Sequence, residues 1–190
     1  MPVTAAGYVG LIPLLPLVGA TILGLGGVFI QRSFGKRMAG GIAVATVAAS
    51  FLLSVCAFVQ LAGMDPEHRL LLANLLPWIH IGSIHVDIAY AVDPLSAIMI
   101  LVVTGIGGLI HLYATAYMEE DDAFWRFFMY LNLFTFAMLT LVLGDSLLTM
   151  FVGWEGVGLC SWGLIGFWHK VEANARAGNK AFIVNRIGDF

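Results

Sequence analysis

Charge is scarce in this chain. Lys, Arg, Asp and Glu together make up 11% of 190 residues, against 60% hydrophobic residues. With a mean hydropathy of +0.93, the apolar runs exceed what a soluble core of this size can bury, which excludes a soluble enzyme of any class. The net charge of -3 is unclustered, and no basic stretch offers a face for nucleic acid. Cysteine is nearly absent: Cys56 and Cys160 both fall inside apolar stretches, where they read as packing residues. Two thiols cannot by themselves hold an iron–sulfur cluster. Met1 to Gly10 lacks a basic n-region and no small-residue cleavage pattern follows, so the first apolar run is read as a retained span. Gly24-Leu-Gly-Gly27 is no dinucleotide loop, because Phe29 stands where its last glycine belongs and no strand precedes it. No nucleophile–base constellation suggests a membrane hydrolase.

What remains is an all-α membrane helix bundle. Five full transmembrane helices are expected at about 8–31, 38–62, 94–117, 126–142 and 147–168, with the start of a sixth at about 178–190. Pro13 and Pro16 sit near the start of span one, where the first turn leaves backbone donors free. Asp93-Pro94 is a sharp start for span three, with Asp as N-cap and proline at the first helical position. Between spans two and three a small amphipathic β-hairpin is expected at about 78–92. There apolar residues alternate with His80, His85 and Asp87 around a Gly82-Ser83 turn, glycine first, as a type II′ turn requires. His80 and His85 can oppose each other across it, but no third ligand is in register, so no metal site is expected. The acidic turn Glu119 to Asp122 reads as a solvated loop, and His169 to Gly178 as a polar connection.

Span five carries the chemistry. Leu147 to Trp168 would make a helix about 33 Å long, against a hydrocarbon core about 30 Å thick, and Glu155 is its one charged residue. It lies about 12 Å from the nearer end, too deep for its short side chain to reach water. A carboxylate there must face protein or a wet cavity, or be protonated. Burial and a neighbouring cation push its proton affinity in opposite directions, so such a group can load and release a proton as its surroundings change. A neutral Glu serving as an interhelix strut is the alternative. His111, about 9 Å from the far end of span three, reads either as an uncharged histidine bonded to a neighbouring helix or as a proton relay. Asn179, Arg186 and Asp189 share one stripe of the sixth element. Arg186 and Asp189, three apart, are close enough to pair, either as a neutralised packing pair or as part of the Glu155 network.

Lys and Arg follow spans one (Arg32, Lys36, Arg37), three (Arg126) and five (Lys170, Arg176), while the hairpin side has only Arg69. The N-terminus and hairpin should therefore face outward.

Several of these segments carry a likeness. Asp93-Pro-Leu-Ser96, Tyr130-Leu-Asn-Leu-Phe134, Gly144-Asp-Ser146, Phe151-Val-Gly-Trp-Glu-Gly-Val-Gly-Leu-Cys-Ser161 and Lys180-Ala-Phe-Ile-Val-Asn-Arg-Ile-Gly-Asp189 resemble the large distal antiporter-like subunit (NuoL type, chain 5 family) of respiratory complex I. The resemblance implies a subunit of proton-translocating NADH:quinone oxidoreductase, in a bacterial cell membrane or an organellar energy-transducing one. Its partners would be the other complex I membrane subunits, the lipid bilayer and protons. It implies no redox site and no cofactor in this chain: NADH, flavin and quinone bind elsewhere. In the family the residue matching Glu155 works with a lysine on the next broken helix, and those matching Arg186 and Asp189 belong to the adjoining polar network. Lys180 does not match that lysine, so the sequence is expected to be the N-terminal part of a longer chain. A cation/proton antiporter subunit (MrpA type) is the alternative, although that family has a Trp-Glu-Leu-Thr-Ser-like segment where this chain has Trp154-Glu-Gly-Val-Gly158. A non-pumping structural or assembly fragment is a third reading.

Overall fold

The computed structural model describes residues 4–82 and 84–189. It is mostly helical: α1 (Leu11–Phe34), α2 (Lys36–Ala62), α3 (Pro94–Tyr117), α4 (Phe124–Leu143), α5 (Leu147–Ile165) and α6 (Glu172–Asp189). Strands β1 (Thr4–Ala5), β2 (Leu71–Ile81) and β3 (Ile84–Val92) complete it. Five helices, α1 to α5, are long and apolar enough to cross a membrane. α4 is the hub, packed on α1 and α5 over its length and touching α2 and α3 as well.

α1 starts later than expected, after a 3-10 turn at Gly7–Gly10, and ends at Gly35, whose φ of 83° suits glycine. Even with this later start, only one of the two prolines sits in the first turn. Pro13 falls in the first turn, but Pro16 lies beyond it and leaves the carbonyl of Ile12 without its helical donor. The buried Ser50 hydroxyl of α2 supplies that donor, at 2.6 Å. A neighbouring helix, rather than position in the first turn, is what accommodates Pro16.

The sheet is larger than the expected hairpin. β2 begins at Leu71 and pairs antiparallel with β3, and β1 adds a third, parallel strand on the other edge of β2. Pro77, which discourages an extended reading, is accommodated because the register shifts on both sides of it, between Asn74 and Leu76 and between Pro77 and Ile79. Gly82 has φ +59°; the type II′ assignment also needs Ser83, which lies outside the described residues. His80 and His85 are paired across the strands with ring centroids 5.0 Å apart, and His80 Nε2 lies 2.6 Å from Asp87 Oδ1. Among the described residues no group of three or more His, Cys, Asp or Glu converges as metal ligands.

Asp93 caps α3 through a full capping box with Ser96: its carboxylate accepts the Ser96 N–H at 2.7 Å and the hydroxyl at 2.7 Å. Burial would push the Asp93 carboxyl up, but these bonds hold it below its ordinary value. The acidic turn before α4 is tied down rather than simply solvated. Asp121 accepts from the Ala123 N–H and from Trp168 Nε1, and Gln31 of α1 bridges the Asp122 carbonyl and the Trp125 N–H.

Candidate functional site

The site is assembled from α4 outward. α5 starts at Ser146, whose hydroxyl accepts the Thr149 N–H, and its lead-in is fixed to the sheet because Asp145 N–H donates to the Ala89 carbonyl at 3.1 Å. Gly153 and Gly156 then press α5 onto α4. A Cβ at Gly153 would lie 2.3 Å from Leu141 N, and one at Gly156 would lie 2.9 Å from Ala137 Cβ, so only glycine allows this approach. Glu155, two residues and about 200° round the helix from Gly153, is left facing away from that contact.

α6 runs antiparallel to α5 and receives Glu155. It starts at Glu172, six residues before the expected 178. Its first turn gains from an acidic residue at the positive end of the helix and from the Glu172–Arg176 pair at 2.5 Å, so the supposed polar connection is mostly helix. Close to its start, Gly178 meets Gly166 backbone to backbone: a Cβ at Gly178 would lie 3.2 Å from Gly166 Cα. That contact brings three polar pairs together between the helices. Trp162 Nε1 donates to Asn179 Oδ1 at 3.0 Å, Arg186 forms an ion pair with Glu155, and Trp154 Nε1 donates to Asp189 Oδ1 at 2.6 Å. As residue numbers rise along α5 they fall along α6.

The Arg186 pairing differs from the one its spacing suggests. The nearest acid in sequence is Asp189, yet the guanidinium reaches across to Glu155 and also covers the Phe182 ring, 4.7 Å from its centroid. The Glu155 side chain is 20% exposed and that of Arg186 39%, so the pair is half-buried. Two clefts flank it along α5 and α6. One of about 330 Å³ is lined by Trp154, Val157, Gly158, Asn185 and Asp189, and one of about 260 Å³ by Arg126, Tyr130, Trp162, His169 and Asn179. Both have room and polar groups for water.

His111 belongs to a different cluster. It is buried on α3, with Nδ1 2.7 Å from the Gly107 carbonyl of its own helix, so that nitrogen carries the proton. Nε2 has no hydrogen-bond partner, and neither does Nδ2 of Asn132, which is fully buried on α4. Thr46 of α2 lies 3.5 Å from Asn132 Oδ1. Among the described residues, His111 makes no hydrogen bond or ion pair with Glu155, Arg186 or Asp189. Sequence reading missed Asn132 and the indole donor of Trp154; a lone amide in the apolar run of α4 was the available signal for the first. Cys56 and Cys160 are free, on α2 and α5.

A bundle of membrane-length helices whose fifth member carries a half-buried acid, paired with a cation from the sixth, defines the class: a helical membrane protein with an acid–cation pair between two of its helices. Comparison with known sequences narrows the class. Residues 78–128 match the family described as NADH-ubiquinone oxidoreductase (complex I), chain 5 N-terminus. Residues 144–190 match NADH:quinone oxidoreductase/Mrp antiporter, transmembrane. The chain is 40% identical over 185 residues to chloroplastic NAD(P)H-quinone oxidoreductase subunit 5 of Zygnema circumcarinatum, covering 96% of this chain and 26% of that one. It is 41% identical over 180 residues to NADH-quinone oxidoreductase subunit L of Rickettsia bellii, covering 95% and 27%. Against the subunit L of Mycobacterium tuberculosis the figures are 41% over 182 residues, 96% and 28%. Over nearly its whole length the chain is thus 40–41% identical to chain 5, or subunit L, members of NADH:quinone oxidoreductase, with matches to two models of that family. It spans about a quarter of the length of these relatives.

Proposed function

We propose that this chain takes part in proton translocation as part of a membrane subunit of NADH:quinone oxidoreductase, with Glu155 as the proton carrier. The observation that carries the reading is the Arg186–Glu155 ion pair between α5 and α6. Arg186 stays charged under all physiological conditions, so its position, not its protonation, is what varies. While the guanidinium lies against Glu155, the carboxylate form is favoured. If it swings one turn along α6 to Asp189, Glu155 loses its counter-charge and takes up a proton. Asp189 is meanwhile held by the Trp154 indole, which gives the arrangement two alternative sets of partners. A cation arriving from a further segment of a longer chain, such as the lysine the family resemblance implies, would bias the same choice.

In this proposal α1 to α5 cross the bilayer, the N-terminus and the sheet face outward, and the sheet lies along the membrane surface. The membrane is a bacterial cell membrane or an organellar energy-transducing one. The partners are the other membrane subunits of the complex, and the chain holds no cofactor of its own. The chain 5 match over residues 78–128 favours this over an independent cation/proton antiporter. His111 is a separate position that has no part in the Glu155 exchange.

The test is Glu155→Gln in the assembled complex with the full-length subunit. A positioned proton-transfer group contributes roughly 10²–10⁴-fold to such steps, so proton pumping coupled to NADH oxidation should fall at least about tenfold while assembly persists. Unchanged proton yield with normal assembly would defeat the proton role, and loss of assembly alone would point to the strut reading.

A further inference from the structure

Trp154 and Glu155 are neighbours on α5, and each sends its polar atom to α6: Glu155 pairs with Arg186, and the Trp154 indole donates to Asp189 Oδ1 at 2.6 Å. The two acids within reach of Arg186 are therefore served differently. Asp189 stands three residues further along the same helix, a spacing at which an acid and a cation pair readily, whereas Glu155 belongs to another helix. Among the described residues Arg186 nevertheless makes its ion pair with Glu155 and none with Asp189.

The indole accounts for that choice. Trp Nε1–H is a donor only and an ionised carboxylate an acceptor only, so the two satisfy each other without a cation, through one of the stronger kinds of hydrogen bond. Without the indole, Asp189 would be a partly buried carboxylate in need of a partner, and the cation one turn away is Arg186. A guanidinium drawn to Asp189 is lost to Glu155. Other elements offer no substitute. On α4, Tyr130 lies against Gly163 and Arg126 is bonded to the Phe167 carbonyl, both towards the far end of α5. β3 meets the start of α5 through Ala89, and its Asp87 is bonded to His80. Arg186 and Asp189 are the charged groups of α6 that line up with Glu155 and Trp154.

We propose that Trp154 is a positioning residue for the proton exchange: its indole occupies Asp189 and thereby assigns Arg186 to Glu155. The inference rests on the proton reading of Glu155 given above. The test follows the protonated-carboxyl infrared band of Glu155 through a pH titration of the assembled complex with the full-length subunit, the band being identified by its loss in Glu155→Gln. Trp154→Phe and Trp154→Met both remove the donor, the first keeping an aromatic ring. In either variant Asp189 should draw Arg186 away, and the midpoint of the Glu155 band should rise by about 1–3 pH units, the effect of an adjacent guanidinium on a carboxyl. Asp189→Asn added to Trp154→Phe removes the competing charge and should return the midpoint to that of the unaltered complex or below it. An indole that only filled space would show no such rescue. An unchanged midpoint in an assembled Trp154 variant would overturn the assignment, as would a raised midpoint that persists in the Asp189→Asn background. If neither the unaltered complex nor the Trp154 variants show a titrating Glu155 band, the proton reading itself fails.

Discussion

Single side chains in this protein are placed to settle debts left by the backbone. Ser50 is the clearest, because its hydroxyl reaches the one carbonyl that Pro16 strands. Ser50→Ala should destabilise the detergent-solubilised complex by about 1–3 kcal/mol, the cost of a buried unpaired carbonyl. Pro16→Ala in the same chain should recover much of that loss by restoring a helical N–H, and thermal unfolding of the two variants checks the pair. Asp93 settles a second debt, the free N–H groups at the start of α3. Its folded carboxyl is held below the ordinary value, so the stability it contributes is present above about pH 4 and is lost as pH falls through the folded value. Asp93→Asn keeps a capping side chain and should flatten that acid dependence in a pH titration of thermal stability.

At the scale of elements, glycine decides where the helices meet. α5 lies on α4 because Gly153 faces backbone atoms that cannot move aside. Gly153→Val should therefore push α5 off α4 and cost about 1–3 kcal/mol or more, visible as loss of assembled complex on native gels. Gly158→Ala, on the same helix but in open space, should assemble normally. Equal tolerance of both would mean that the α4–α5 contact does not set the position of Glu155. α6 shows why its early start escaped the sequence reading. Its first turn is polar and reads as a loop, yet dipole-matched charge and an i,i+4 ion pair sustain a helix without an apolar stripe.

For the whole molecule, the distribution of basic residues sets the proposed orientation. Basic residues gather at the ends of α1, α3 and α5 that point away from the sheet, and the proposed orientation follows from them. In intact cells a membrane-impermeant maleimide should label His85→Cys, and should label Lys170→Cys only after permeabilisation. The reverse pattern would invert the topology.

The sequence by itself determined the helical membrane character, the approximate extent of the apolar segments and the place of Glu155 within the fifth of them, because hydropathy and length are properties of residues taken in order. The Asp93 cap and the His80–His85 opposition were legible for the same reason, being set by local spacing. Other features were decided only in three dimensions: the choice of Glu155 over Asp189 by Arg186, the placing of His111 apart from that pair, and the pairing of β1 with β2. Each depends on how one element is rotated against another, and that rotation is fixed by close contacts such as Gly153 on Leu141 and Gly178 on Gly166. Residue spacing along one segment carries no record of its neighbour.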